Sequence, residues 1–232
     1  MASLNMIDLS MPIAEHWRFT PAFENTYKER PHFTFETTNI HITTHSFSHV
    51  DAPSHIERDG VTIDRLPLET FAGDASIIDL SDLGDNAAIT EQILKDRSAH
   101  VRAGDIVLLR SDQGLRHPTE TKEYWTRSPW VSLDGARFLL SLQVKAVAFD
   151  FPQDRCIRFA YDESVQPLPE VGEDDACHLI LLQQGVLQYE YLQNFHRISQ
   201  ERFLFLGFPL NIQHGNGSPI RAVAIEGEHT RR

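Results

Sequence analysis

Eleven residues constrain this chain more than any other stretch: His45-Ser46-Phe47-Ser48-His49-Val50-Asp51-Ala52-Pro53-Ser54-His55. Four of the chain's 12 histidines, His41, His45, His49 and His55, fall within fifteen residues. His45, His49 and Asp51 share parity, so an extended strand projects all three from one face. Cβ atoms two residues apart on such a face are separated by roughly 6–7 Å. Side chains at that spacing can converge on one ion with ligand distances near ~2.1 Å. Pro53 stops the strand from continuing as a central ladder member, so the chain is expected to turn there. A turn can return His55 to the same centre. Imidazole and carboxylate donors together suit Zn²⁺, Mn²⁺ or Fe²⁺. His41, of matching parity but further out, reads as structural.

One strand cannot close a metal shell, so further donors must come from elsewhere. Two candidates flank Gly185: His178 at the start of an apolar helix, and Glu190 after a short apolar strand. From the residues alone, His178 could equally cap its helix and Glu190 could be a solvated charge.

The rest of the chain supplies a conventional scaffold. Its 232 residues, 41% hydrophobic and 23% charged, suit one domain spanning 1–232 with a full core. No apolar run approaches the roughly 20 residues that cross a bilayer, so no membrane partner is expected. Met1–Ser10 contains Asp8 and lacks both a basic start and an apolar centre, which does not read as a signal peptide. Cys156 and Cys177 make no disulfide framework, and a reducing, cytoplasmic setting is the expectation. A net charge of −12 offers no basic footprint for nucleic acid.

Strands are predicted near Met6–Leu9, over Phe35–Ser48 as one strand or a pair, and at Asp74–Leu80, Asp105–Arg110, Ala146–Phe149, Arg202–Phe205 and Arg221–Ile225. Helices are predicted over Thr90–Ser98, Ser132–Leu142 and Ala176–Gln184, the last stopped by Gly185. Residues 1–36 otherwise read as irregular and aromatic-rich, with Trp17, Phe19, Phe23, Tyr27, Phe33 and Phe35. Strands alternate with helices, but helices are missing between the early strands. That pattern predicts an α/β domain with a mixed sheet.

The motifs resemble those of the metal-dependent cyclase/hydrolase family that includes bacterial kynurenine formamidase and isatin hydrolase. The family pattern His-x-Gly-Thr-His-x-Asp-x-Pro-x-His is met at His45, His49, Asp51, Pro53 and His55, with Phe47-Ser48 in place of Gly-Thr. A His followed twelve residues later by a Glu is met by His178 and Glu190. Further similar stretches lie at 60–73, 107–114, 144–154 and 215–225, so the resemblance runs along nearly the whole chain in order. It implies a swivelling β/β/α-type mixed-sheet domain and assembly into homodimers or larger homo-oligomers. It also implies that His45, His49, Asp51, His55, His178 and Glu190 bind one or two divalent ions, Zn or Mn. N-terminal aromatic residues, Trp17 here, are implied to shape the substrate pocket. Phe47 stands where the pattern has glycine, either entering the pocket from the metal-facing side or packing against a neighbouring loop.

The implied activity is hydrolysis of the C–N bond of a small aryl formamide or cyclic amide by a metal-activated water. Glu190 or His55 would carry the proton. Ser46 and Ser48 are not expected as nucleophiles, because no GxSxG elbow is present. Asp150, Gln153 and Asp154 are expected to border the site, although Asp150 could equally cap its strand. Alternatives are a metal-dependent cyclase or lyase acting through an enolate, a lactone hydrolase, and a metal- or ligand-binding protein without turnover.

Overall fold

Two short apolar runs with no polar face, Ile106–Arg110 and Ala146–Phe149, belong at the buried centre of a parallel sheet. The computed structural model, which describes residues 4–227, places them side by side there. In chain order the strands are β1 (Asn5–Asp8), β2 (Ala22–Glu29), β3 (Thr34–His41), β4 (His49–Asp51), β5 (Ala72–Asp79), β6 (Ala88–Ile89), β7 (Ile106–Arg110), β8 (Trp130–Val131), β9 (Ala146–Phe149), β10 (Leu187–Glu190), β11 (Arg202–Leu206), β12 (Gly217–Pro219) and β13 (Val223–Glu226). The helices are α1 (Glu91–Arg97), α2 (Gln113–Arg116), α3 (Lys122–Thr126), α4 (Leu133–Ser141) and α5 (Ala176–Ile180).

Nine strands form one sheet in the order β1-β13-β11-β5-β7-β9-β10-β4-β12. The central strands β5, β7, β9 and β10 run parallel. Antiparallel strands extend the sheet on both sides. This is the mixed α/β sheet expected from the sequence.

Alternation along the central strands divides the interior in two. Val107, Leu109, Val147 and Phe149 face a layer containing Leu94 of α1, Leu133, Ala136 and Leu139 of α4, and Ala176 and Cys177 of α5. Ile106, Leu108, Ala146, Ala148, Leu187 and Tyr189 face the other side. There they meet Ile7, Phe203, Phe205 and Ala224 from the sheet's own outer strands, so the sheet curls around this second core. Full burial of each large apolar side chain contributes roughly 1.5–3 kcal/mol.

The helices follow local signals. Ser132 caps α4 by accepting from the Gly135 N–H at 3.3 Å, and the Thr90 side chain accepts from Ile93 at the start of α1. The predicted helix 176–184 is shorter than expected. It is α-helical over Ala176–Ile180, tightens to a 3₁₀ turn at Leu182–Gln184, and stops at Gly185 with φ +82°.

The strand expected over Phe35–Ser48 needs correction. It ends at His41, and its partner is Ala22–Glu29, a segment the sequence leaves irregular. β2 and β3 form a separate two-stranded hairpin whose every residue is exposed. With neither face buried, its sequence carries no apolar period to mark the first strand. Residues 42–48 are turns rather than strand.

A carboxylate–imidazole cluster at the edge of β10

β10 and β4 carry the centre of the site. They pair antiparallel with Glu190 opposite His49 and Gln188 opposite Asp51. Val50 and Tyr189 point into the curled core, which turns His49, Asp51 and Glu190 to the other face. The i, i+2 relationship of His49 and Asp51 thus holds as expected. His45 does not share that strand: it stands in the preceding turn and arrives by a different route. Its ring fills the space a side chain at position 217 would need, since a Cβ on Gly217 would lie 2.6 Å from His45 Cε1.

Pro53 opens a 3₁₀ turn, Pro53–His55, and this turn returns His55 to the cluster. The His55 ring stacks on His45 at 3.8 Å between centroids and lies 5.6 Å from His178. Gly60 is required behind this turn, because a Cβ there would come within 2.7 Å of the Pro53 backbone. His178, in α5, directs Nδ1 to Asp154 Oδ2 at 2.5 Å. Asp154 also accepts from the backbone N–H groups of Cys177 and His178, so one carboxylate holds the helix start and orients the imidazole. The opposite ring nitrogen, Nε2, stands 3.7 Å from both Asp51 Oδ2 and Glu190 Oε1.

Asp51 is the hub. Its Oδ1 lies 2.7 Å from His45 Nδ1 and 3.2 Å from His49 Nε2. Its Oδ2 is buried and makes no hydrogen bond. His49 Nδ1 donates to the Phe47 carbonyl at 2.8 Å, which leaves Nε2 facing Asp51 and, at 3.6 Å, Glu190 Oε2. Gln153 donates to Glu190 Oε1 and to Gln188 Oε1, steadying the carboxylate from β9's side.

This donor set fits a divalent cation. His49, Asp51 and Glu190 are all buried, and each offers a ligand atom within 4.8 Å of the others; His45, Asp51 and His55 form a second such group sharing Asp51. A buried carboxylate oxygen without a hydrogen-bond partner is costly unless something positive meets it. The electrostatics agree. Burial would raise the Asp51 carboxyl, but the surrounding imidazoles of His49, His178 and His45 hold it well below the usual carboxylate range. Burial would lower His49, yet Asp51 and Glu190 raise it. At His55, burial and the neighbouring imidazoles of His45, His178 and His49 outweigh the pull of Asp51 and push it down to about 4.

An aromatic wall adjoins the cluster. The Tyr191 ring lies 5.4 Å from His49, and Trp125, Phe19 and Phe47 pack behind it. Phe47 departs from the parity argument. It adopts φ +56° in the turn, and its ring is buried with Met11, Tyr124, Trp125 and Tyr191. The positive φ explains why glycine suits this position in the family pattern. Trp17 is partly exposed and meets Tyr161 edge-on at 5.1 Å. Asp150 takes the N–H groups of Ser111 and Asp112 at the ends of β7 and β9, a structural capping position. Arg18, whose guanidinium stacks over the Trp125 ring, and Tyr191 are wall residues that sequence reasoning passed over, because neither lies in a recognisable spacing.

With this geometry established, comparisons place the chain among known proteins. It is 25% identical over 228 residues to "Kynurenine formamidase" of Bacillus cereus, covering 96% of this chain and 98% of that protein. It is 26% identical over 187 residues to "Kynurenine formamidase" of Salinibacter ruber, covering 80% and 77%. The fold matches isatin hydrolase A from Labrenzia aggregata with a TM-score of 0.76 at 22% identity, covering 97% of this chain and 94% of that one. Residues 7–153 match the Cyclase family, described as "Putative cyclase". The chain belongs to the Cyclase family.

Proposed function

We propose that this chain is a metal-dependent hydrolase that opens the C–N bond of a small aryl formamide or cyclic amide. The observation that carries the reading is Asp51, whose Oδ2 is buried without a hydrogen bond among three imidazoles and a second buried carboxylate. The two similar proteins named kynurenine formamidase supply the substrate class. His45, His49, Asp51, His55, His178 and Glu190 hold one or two ions, Zn²⁺ or Mn²⁺, which a mixed set of imidazole and carboxylate donors suits. A divalent ion so held supplies Lewis acidity toward an amide carbonyl and makes water a better nucleophile near neutral pH.

The chain's own residues do the rest. Hydrolysis joins a water oxygen to the carbonyl carbon, breaks the C–N bond and delivers a proton to the leaving nitrogen. Glu190 takes a proton from water at Oε2, the oxygen facing His49, while Gln153 fixes Oε1. His55, stacked on His45 and close to His178, is the second proton carrier. Tyr191, with Phe47 and Phe19 behind it, offers an aromatic face beside His49, and Trp17 closes the outer side.

The hydrolase works as one domain over residues 1–232 and as a homodimer. Phe23, Tyr27, Phe33 and Phe35 stand exposed on the β2–β3 hairpin, which is marginal alone and gains by packing on a second copy. Its setting is cytoplasmic, consistent with free Cys156 and Cys177. No helix among the described residues is long and apolar enough to cross a membrane.

The test is a screen of aryl formamides, lactams and lactones with metal-loaded protein in ¹⁸O-labelled water. Amide turnover with one solvent oxygen in the product supports the reading. Turnover without label incorporation would replace it with a cyclase or lyase reaction. Sedimentation velocity, with and without the exposed hairpin aromatics, tests the dimer.

A further inference from the structure

Arg18 stacks in the aromatic wall, and its surroundings differ from those of five arginines elsewhere in the fold. Arg97, Arg110, Arg155, Arg202 and Arg221 each close on an aspartate. Arg18 makes no ion pair to a described residue. Its Cζ instead lies 4.2 Å from the Trp125 ring centroid, 4.9 Å from Phe19 and 5.5 Å from Tyr191. Its Nε donates to the Tyr161 hydroxyl at 2.7 Å. Neither Nη group donates to a described residue.

The segment that presents Arg18 is fixed. His16 is buried, with Nε2 at 3.1 Å from the Thr119 carbonyl and Nδ1 accepting the Arg18 backbone N–H at 3.1 Å. The Trp125 indole N–H donates to the same carbonyl at 3.1 Å. The Arg18 backbone, through His16, and the ring under its guanidinium are therefore anchored to one carbonyl. Burial would lower the Arg18 pKa, but Tyr191, Tyr161 and Glu190 raise it, so the group stays charged.

Arg18 also borders the reaction centre. One ring, Tyr191, lies 5.5 Å from Arg18 Cζ and 5.4 Å from the His49 ring, and Tyr191 directly follows Glu190. The guanidinium and the His49 ring therefore lie within the span of a small aryl amide, so a substrate reacting at the cluster can bring a substituent of its ring to Arg18. A half-desolvated guanidinium with a free fork is complementary to a planar, bidentate anion. No second cation is among its contacts, which matches a monoanion rather than a phosphate dianion.

We propose that Arg18 is an anion-recognition residue that pairs its free Nη edge with a carboxylate carried by the aryl substrate. The inference deepens the hydrolase reading and rests on it for the reacting bond. A merely structural Arg18 would only pin the N-terminal segment onto Trp125.

The experiment compares wild type, Arg18→Gln and Arg18→Lys as metal-loaded protein, with metal content measured for each. Turnover is followed on 2-formamidobenzoate and on formanilide, which lacks the carboxylate. Loss of a charge-assisted bidentate pair should reduce the kcat/KM preference for the carboxylate substrate by about tenfold to a hundredfold in Arg18→Gln, chiefly through KM. Arg18→Lys should recover part of it. Equal losses on both substrates, or an unchanged preference, would overturn the proposal. In parallel, calorimetric binding of benzoate is measured against benzamide. Benzoate should bind wild type and weaken about tenfold or more in Arg18→Gln. Equal benzoate affinity in both proteins, or none in wild type, overturns the Arg18 assignment. Failure of wild type to hydrolyse either formamide overturns the aryl-formamide reading instead, and the benzoate measurement still decides Arg18.

Discussion

His49 and Glu190 stand directly opposite one another on antiparallel neighbours β4 and β10, with His49 Nε2 3.6 Å from Glu190 Oε2. They are 141 positions apart in sequence, yet the ladder makes them the closest kind of cross-strand pair. Because a one-residue slip would turn both side chains into the core, the register of this pair is also the register of the site.

Removal of metal should destabilise the fold as well as abolish activity. Asp51 and Glu190 are both buried and face one another's imidazole partners. Protein purified without chelator is expected to carry at least about half an ion per chain by elemental analysis. Stripping it should lower Tm by several degrees, at about 2–4 °C per kcal/mol for a chain of this size. A metal-free preparation with unchanged Tm and full activity would remove the cluster from the mechanism.

Glu190→Gln should preserve the fold and lower kcat by about 10²–10⁴. The change is nearly isosteric within the β10–β4 ladder, while the proton acceptor at Oε2 is lost. Circular dichroism beside kinetics on an identified substrate checks it; near-wild-type turnover would reduce His178 and Glu190 to scaffold.

Asp154→Asn should weaken metal binding without touching the cluster's own donors. Asp154 holds His178 Nδ1 at 2.5 Å and so aims Nε2 at Asp51 and Glu190. Loss of such an orienting carboxylate costs about 10–100-fold in metal affinity. Competition against a chelator of known affinity measures it, and an unchanged affinity would leave Asp154 as a helix cap only.

At Phe47 the usual ranking of alanine above glycine should invert. Deleting the buried ring costs about 3–5 kcal/mol in either variant. Ala must still adopt φ +56°, which glycine does freely, a difference of about 1 kcal/mol. Denaturant unfolding should therefore find Phe47→Gly more stable than Phe47→Ala. The opposite order would mean that the turn relaxes once the ring is gone.

Acid should expose the Asp105–Arg202 pair. Asp105 is buried and accepts from both Arg202 Nη groups and from Ser76 Oγ, tying β11 and β5 to the start of β7. Burial would raise its pKa, but Arg202 and Ser76 hold it below the ordinary 3.8. A depressed carboxylate contributes stability above its unfolded pKa, and that contribution fades as pH falls through the folded value. Asp105→Asn should cost about 1–3 kcal/mol at about pH 5, and the difference from wild type should shrink toward about pH 2. A gap that persists in acid would assign the effect to packing.

The sequence alone marked His49 and Asp51 as candidate donors and located the central strands. His49 and Asp51 were legible because their relationship is local: two residues on one strand face need no knowledge of any partner. Pro53 likewise marked the turn that returns His55, and the apolar runs at 106–110 and 146–149 marked a buried parallel centre. His178 and Glu190 had the right chemistry, but without the family resemblance nothing local distinguished a ligand from a cap or a surface charge. Only the tertiary structure decided that β10 pairs with β4, that Asp154 aims His178, and that the Arg18 guanidinium stacks on Trp125. It also showed that His45 and Phe47 occupy a turn, where the strand parity that made them look alike sends Phe47 into the aromatic cluster instead. Local periodicity reports which face of an element is buried. The identity of the neighbour on that face is fixed by register and chain crossing over more than a hundred residues, which no short window contains.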